Sequence, residues 1–452
     1  MEKTGKRILS GVLITVGVAI ICFAVYLNSL MPIITGYAAK NLCSDVFVSN
    51  RKAADIEAID LNFSFIKYTR NIVNYDEKSV ISHFLWGKSK AIYRPGFGVT
   101  LLRDITEEKL QKSKYPLGSN PGYSQDTIKW PLGDIMPGKN TGIDTLKLAE
   151  ISKKLVTDNA YKGNAFAFMV VHKGVPVAES YKPQFNKHTR FLSWSIAKSF
   201  INALTGVLVK QGRIDINKPV GIDEWKGDDR NKITLNNLMQ MQSGLKWNED
   251  YGNRSSVNVM LHCESDMGGY AIEKPLDYPA GTHWYYSSGS ANIVSYFIRR
   301  QFNNDSLYYS YTHTYFFNKT GMPDAIFEVD PAGTMVGSSY LYATARDYAR
   351  FGLLFENDGV FNGERILQEG WVKYTTTAAS ESKGVYGSFF WLNKGKEYPS
   401  APEDMFWCDG HDGQFIFILP GKELIVVVLG YSPKFNRMDF DSLLKDILGT
   451  LK

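Results

Sequence analysis

From Ile8 to Ala39 the chain carries no charged side chain, and Ile8 to Leu27 is almost continuously apolar. No other feature restricts the fold as strongly. About 20 such residues cross the hydrocarbon core of a bilayer as a helix, in which every backbone amide is satisfied internally. Lys3, Lys6 and Arg7 precede the segment. The positive-inside rule therefore puts the N-terminus in the cytoplasm and the bulk of the chain on the periplasmic or extracellular side. A cleaved signal peptide is the competing expectation, but its apolar region is ordinarily shorter, and Gly36-Tyr37-Ala38 is a mediocre cleavage site. Ala19-Ile20-Ile21-Cys22 has no small residue directly before its cysteine and suits a lipoprotein signal poorly. A core helix is the third reading, and the basic flank of a terminal segment speaks against it. Residues 1–40 are thus expected to be a retained single-pass anchor in the cytoplasmic membrane.

The remainder looks globular. At 44% hydrophobic and 21% charged, the 452 residues are too apolar for disorder. Lys and Arg number 51 against 46 Asp and Glu, without long runs, so charge makes no case for nucleic-acid binding. Four cysteines (Cys22, Cys43, Cys263 and Cys408) are too scattered for a disulfide scaffold or a zinc knuckle. With Cys22 in the membrane, at most one intramolecular disulfide could form among the other three.

Residues 41–140 show short apolar stretches between turns, among them the loop-like Tyr115 to Gly122, and no chemical motif. They form an N-terminal extension of unassigned role. Beyond them, Asp144 to Asp158 has helical spacing, with Asp144 as N-cap. Ala165–Val171 and Val175–Tyr181 predict a hairpin, as do Gln414–Leu419 and Leu424–Leu429. Phe440 to Leu448 predicts a closing helix. Helix and hairpin at the start, helical material between, and hairpin and helix at the end imply an α+β fold: an antiparallel sheet closed by distant parts of the chain and flanked by helices.

Ser195-Ile196-Ala197-Lys198 opens an apolar helix running to about Lys210. Residues i and i+3 share a helix face, so Lys198 can reach the Ser195 hydroxyl. A serine becomes a nucleophile beside a base, and a lysine serves once burial or a nearby cation lowers its pKa. The helix start also supplies N–H groups and positive potential for an oxyanion. Ser-x-x-Lys alone is weak, because it recurs at Ser49, Ser64, Ser243, Ser380 and Ser442. Only Ser195 begins a long helix apolar on nearly every side, hence central and buried. Tyr286, in Trp284-Tyr285-Tyr286-Ser287-Ser288-Gly289, lies before another apolar helix, Ile293 to Ile298. Beside a lysine cation its proton affinity could fall enough for it to act as a base; a tyrosine packed under a loop is the plainer reading. Asp409-Gly410-His411-Asp412-Gly413-Gln414 leads into the last hairpin, where glycines let a strand approach a ligand and the Gln414 N–H could complete an oxyanion hole.

Ser-x-x-Lys, then Tyr-Ser-Ser, then His-x-Gly on a late strand resembles the serine β-lactamase-related superfamily. The branch it resembles contains class C β-lactamases, penicillin-binding D,D-peptidases, related esterases and 6-aminohexanoate-dimer hydrolases. Ile233 to Leu245, Leu341 to Gly352 and Asn357 to Gly363 match as well, so the likeness covers about residues 140–450. The resemblance implies a β-lactamase/transpeptidase-like hydrolase domain over 141–452, with a mostly helical subdomain beside the sheet. It also implies an acyl-enzyme on Ser195, with Lys198 and Tyr286 moving protons and the N–H groups of Ser195 and Gln414 holding the oxyanion. Tyr251, in Trp247-Asn248-Glu249-Asp250-Tyr251, is similar to the loop tyrosine that closes over substrate in aminohexanoate-dimer hydrolases; a surface aromatic is the alternative. Ser288, His411 and Gly413 occupy substrate-binding places.

Two departures matter. Ser288 stands where class C enzymes carry asparagine, and His411-Asp412-Gly413 replaces Lys-Thr-Gly. A histidine is mostly neutral near pH 7 and Asp412 adds negative charge, so anionic β-lactams should be poor substrates. No Gly-x-Ser-x-Gly elbow, phosphate loop or dinucleotide fingerprint occurs. His262-Cys263-Glu264 matches only half of a zinc deaminase motif and predicts ordinary helix. The expectation is a membrane-anchored serine hydrolase of small-molecule or peptide amides or esters, with no cofactor, metal or nucleic-acid partner. The oligomeric state stays open, and a penicillin-binding or cell-wall-sensing protein with little turnover is the alternative.

Overall fold

The uncharged N-terminal segment lies in a single helix, α1 (Glu2–Phe47), that continues well past residue 40. In the computed structural model, which describes residues 2–113, 121–138 and 142–452, the two parts of α1 meet different surroundings. Val12 to Tyr26 is exposed along the helix, whereas burial sets in from Leu27 to Met31 and is nearly complete from Ala38 to Val46. The buried part packs on a four-stranded antiparallel sheet in sequential order: β1 (Arg70–Asn74), β2 (Ser79–Phe84), β3 (Gly87–Arg94) and β4 (Gly98–Leu101). Small residues on its inner face, Ser89 and Ala91, let the helix come close, and Thr35 Oγ1 meets Ser89 Oγ at 2.7 Å. The 41–140 region, which showed no pattern in the sequence, thus holds a sheet. Its inner face mixes serine and alanine with valine, so it lacks a clean polar/apolar alternation. Most of the loop expected at Tyr115–Gly122 lies outside the described residues.

One carboxylate joins this N-terminal layer to the rest. Glu328 is fully buried and accepts hydrogen bonds from Lys40 Nζ, from Ser44 Oγ at 2.9 Å and from the Val99 N–H at 2.6 Å. Helix α1, strand β4 and the larger body therefore converge on one side chain.

The larger body is built on a six-stranded antiparallel sheet. Its order is Trp391–Leu392, Phe406–Gly410, Gln414–Leu419, Leu424–Gly430, Ala165–His172 and Val175–Tyr181. Both predicted hairpins are present, and the chain's distant ends pair through Leu424–Gly430 and Ala165–His172. These two central strands are buried along their whole length. Side chains alternate between faces with period 2. Met169, Val171, Ile425 and Val427 enter one core with the helices Ile196–Lys210 and Ala345–Glu356. Phe168, Val170, Val426 and Val428 enter another, under the helices Thr145–Val156 and Phe440–Leu448. Asp144 caps the first of these by accepting from the Leu146 and Lys147 N–H groups. All four thiols are free, with Cys43 and Cys408 buried.

Removing one partner of a buried ion pair leaves an uncompensated charge and costs about 3–5 kcal/mol. Lys40→Ala is therefore expected to lower the unfolding free energy of the full chain in detergent by that order, and a Lys40→Ala, Glu328→Leu double variant to recover much of it. A single variant that melts like the wild type would remove Glu328 from its joining role.

Candidate active site

Short strand pairing and a strained turn present Ser195. Arg190–Leu192 pairs with Leu341–Thr344, and Ser193 extends the contact, its N–H donating to the Leu341 carbonyl at 2.8 Å. Trp194 then takes φ +44°, a left-handed conformation costly for a bulky residue, and Ser195 begins the helix Ile196–Lys210. Strand Phe406–Gly410 runs against this turn. A Cβ on Gly410 would lie 2.3 Å from the Ser193 carbonyl oxygen, so only glycine permits the approach.

Lys198 lies one turn into the helix and is 1% exposed. Its ammonium donates to Ser195 Oγ at 2.9 Å, Ser288 Oγ at 3.0 Å and the Ser338 carbonyl at 2.9 Å. Burial pulls its pKa down to about 8, with Glu249 and Asp409 acting in opposition. A lysine in this state is a workable base for the serine it touches. Asp409, on the neighbouring strand, is itself pushed up to about 7 by burial.

Ser288 Oγ donates to Glu249 Oε1 at 2.5 Å, and the Ser288 N–H to Glu249 Oε2 at 2.9 Å. Trp247 Nε1 donates to the same carboxylate at 2.5 Å, and Tyr251 Oη reaches it at 3.4 Å. Ser288 thus bridges the ammonium and the carboxylate. Glu249 did not stand out in the sequence. Its sole signal is its place two residues before Tyr251, and what fixes its role is the start of the helix Ser288–Arg299, far along the chain.

Tyr286 lies beside this pair but not as expected. Lys198 Nζ sits over its ring, 4.9 Å from the centroid, and Tyr286 packs against Trp391 with centroids 5.5 Å apart. Burial raises its pKa well above the usual tyrosine value and Glu249 adds to the rise, while a hydrogen bond with Ser195 opposes it. The lowering of proton affinity expected from the lysine does not appear: the ammonium faces the ring, and burial governs the shift. A tyrosine of this kind keeps its proton and can donate it.

The opposite wall comes from Asp409–Gln414. The His411 ring stacks on Tyr251 at 4.6 Å and meets Trp194 edge-on at 5.4 Å. Burial lowers the His411 pKa, with Asp412 opposing at 3.4 Å from Nε2. Gly413 has φ +101°, and a Cβ there would meet Ser432 at 2.6 Å, so glycine is demanded by the turn itself. The Gln414 side chain is occupied by Gly430, accepting from its N–H at 3.1 Å and donating to its carbonyl at 2.5 Å. Ser195, Lys198, Tyr286, Ser288, Tyr251 and His411 are thus linked through mutual contacts, with Gly413 and Gln414 next along the strand. Trp194 and Glu249 join them as residues the sequence did not reveal.

The Beta-lactamase family profile matches residues 152–445. The chain belongs to that family. Among curated proteins it is 25% identical over 310 residues to the 6-aminohexanoate-dimer hydrolase of Paenarthrobacter ureafaciens, covering 62% of this chain and 76% of that one. Among solved structures, a penicillin-binding protein homologue from Caulobacter crescentus superposes with TM-score 0.53 at 14% identity, over 68% of this chain and 97% of that one. A class C β-lactamase mutant gives 0.52 at 15% identity, over 70% and 100%. The family fold is thus shared across members whose names record different activities.

The Glu249 carboxylate favours the charged form of Lys198. Glu249→Gln should therefore lower the Lys198 pKa below about 8 and move the alkaline-rising limb of kcat/KM to lower pH. A limb that stays in place, or moves up, would show that Glu249 does not act on this lysine.

Proposed function

We propose that this Beta-lactamase family member is a membrane-tethered serine hydrolase of short amides or carboxyl esters, with its catalytic domain outside the cytoplasmic membrane. The observation that carries the reading is the 2.9 Å contact between a buried, pKa-lowered Lys198 and Ser195 Oγ. In its neutral form Lys198 takes the hydroxyl proton as Ser195 Oγ bonds to the substrate carbonyl carbon and the C=O electron pair moves onto oxygen. The N–H groups of Ser195 and Gln414 hold that oxyanion. As it collapses, the C–N or C–O bond breaks, the leaving group takes a proton from Tyr286, and Lys198 returns one to the tyrosine. Water then adds to the acyl carbon, its proton passing to Lys198, and Ser195 leaves with a proton restored. No metal or redox group enters these steps.

The relative named for aminohexanoate dimers supports a linear amide as substrate, while the wall opposite Ser195 favours one without the terminal carboxylate that such a dimer carries. His411, held below the usual histidine range by burial, offers no fixed cation for a carboxylate, and Asp412 lies against it. Membrane retention is supported by α1 itself. Cleavage at the Gly36-Tyr37-Ala38 site would cut it where Ala38 and Ala39 are wholly buried against the sheet.

Intact mass after mixing with a p-nitrophenyl ester, and separately with a penicillin, tests the nucleophile. An ester adduct or turnover absent from Ser195→Ala is expected, with a weaker response to penicillin. Wild type and variant behaving alike would overturn the hydrolase reading, and a stable penicillin adduct without turnover would favour a penicillin-binding protein. Because the base must be neutral, kcat/KM should rise with pH and level off above about 8. Lys198→Met is expected to abolish both turnover and the rise; a flat wild-type profile between pH 6 and 9 would exclude Lys198 as the base (a range bracketing the lowered lysine, about one to two units either side).

A further inference from the structure

The exposed run of α1 ends at a second apolar feature. The turn joining β2 to β3 lies where the helix passes from exposure to burial: Trp86 Nε1 donates to Asn28 Oδ1 at 3.0 Å. The approach is tight, since a Cβ on Gly87 would lie 2.7 Å from Met31 Cβ. At the tip, Leu85 is 67% and Trp86 59% exposed. Leu85 also takes φ +50°, a conformation in which asparagine or glycine is ordinary and a leucine is not. A solvent-facing turn has no use for that choice. Phe65, 54% exposed, lies 6.1 Å from Phe84 at the end of the same hairpin, and Tyr68 is exposed next to it.

Charge leans the same way. Lys67, Arg70 and Lys88 are exposed at this end of the sheet, with Glu57 bonded to Asn71 beside them, whereas Asp76, Glu77 and Lys78 lie in the β1–β2 turn, at the opposite end of β2. Six residues of strand separate the two ends by about 20 Å. At about 1.5 Å per residue, Ile8 to Leu27 is about 30 Å long, the thickness of the hydrocarbon core. Asn28 and the hairpin tip therefore fall at the boundary, where tryptophan and tyrosine rings settle and basic side chains meet lipid phosphates.

We infer that the β2–β3 turn, with Leu85 and Trp86 at its tip and Phe65 and Tyr68 beside it, is a second membrane contact. It rests in the headgroup region of the leaflet from which α1 emerges and, together with the helix, fixes the orientation of the catalytic domain over the bilayer. This inference rests on the reading of α1 as a retained anchor. A single helix leaves the body free to swivel about its axis; a wedge beside the helix removes that freedom.

The test uses the full chain, in a Cys22→Ser, Cys263→Ser background that leaves only the buried Cys43 and Cys408, reconstituted in phosphatidylcholine/phosphatidylglycerol vesicles. Nitroxide labels are placed one at a time at Leu85→Cys, Phe65→Cys, Val18→Cys within the span and Lys226→Cys on the exposed surface of the large body. Far-UV circular dichroism confirms that each variant is folded. The ratio of oxygen to nickel-chelate accessibility should be severalfold higher at Leu85 and Phe65 than at Lys226, and highest at Val18. If Val18 reports acyl chains while Leu85 and Phe65 match Lys226, the second contact is overturned and the anchor stands. If Val18 itself reports water, the anchor reading fails and this inference falls with it.

Discussion

The buried carboxylate of Glu328 is the joint on which the molecule's organisation depends. A carboxylate stays charged in a dry interior only when cations and N–H or O–H donors surround it. Here burial drives the Glu328 pKa up, with Lys40 and hydrogen bonds from Val99 and Ser44 in opposition. Those three donors belong to α1 and the N-terminal sheet, while Glu328 itself belongs to the large body. The N-terminal layer is thus not a tether hanging from a separate enzyme. Its register on the body is set by a group that cannot be left unpaired.

That register reaches the active site. With Lys40 held, Tyr37 lies one turn earlier on α1 and stacks on Trp194, with ring centroids 6.2 Å apart and planes 23° from parallel. Trp194 carries the left-handed backbone that presents Ser195, and on its other side it meets His411. Strain at a functional turn persists only where surrounding structure over-determines it. Tyr37, His411 and the Leu341 pairing of Ser193 supply that constraint, so a residue of α1 helps hold the turn that presents Ser195.

The legible parts of the chain were those whose physics is local. The Asp144 cap, both hairpins and the helix after Ser195 follow from spacing, turn residues and apolar runs. The central strands were readable as well, because a sheet covered on both faces gives an unbroken apolar run such as Leu424 to Leu429. The N-terminal sheet was not, since its inner face uses Ser89 and Ala91 to admit a helix supplied from more than 40 residues away. The same limit applies within the site. Ser195 and Lys198 are neighbours by helical geometry, whereas Glu249, Ser338 and Trp194 acquire their places from long-range packing or from backbone strain that composition does not betray. Tyr286 is a further case: its nearness to the lysine follows from motif order, whereas the burial that raises its pKa comes from long-range packing.

Electrostatics in the finished site then limit what it can accept. Lys198 is bound to Ser195, Ser288 and the Ser338 carbonyl, so its donors are spent inside the machinery. Glu249 and Asp409 act on it, Asp412 lies against His411, and rings line much of the site: Trp194, Tyr251, His411, Tyr286 and Trp391. An anionic substrate would have to be desolvated among these rings and carboxylates, which counts against it. A neutral amide or ester needs only the oxyanion donors and a flat aromatic surface. A substrate bearing an ammonium would gain from the carboxylates as well. On the proposed reading, His411 and Asp412 turn this wall towards neutral or cationic substrates beside the Ser195–Lys198 pair.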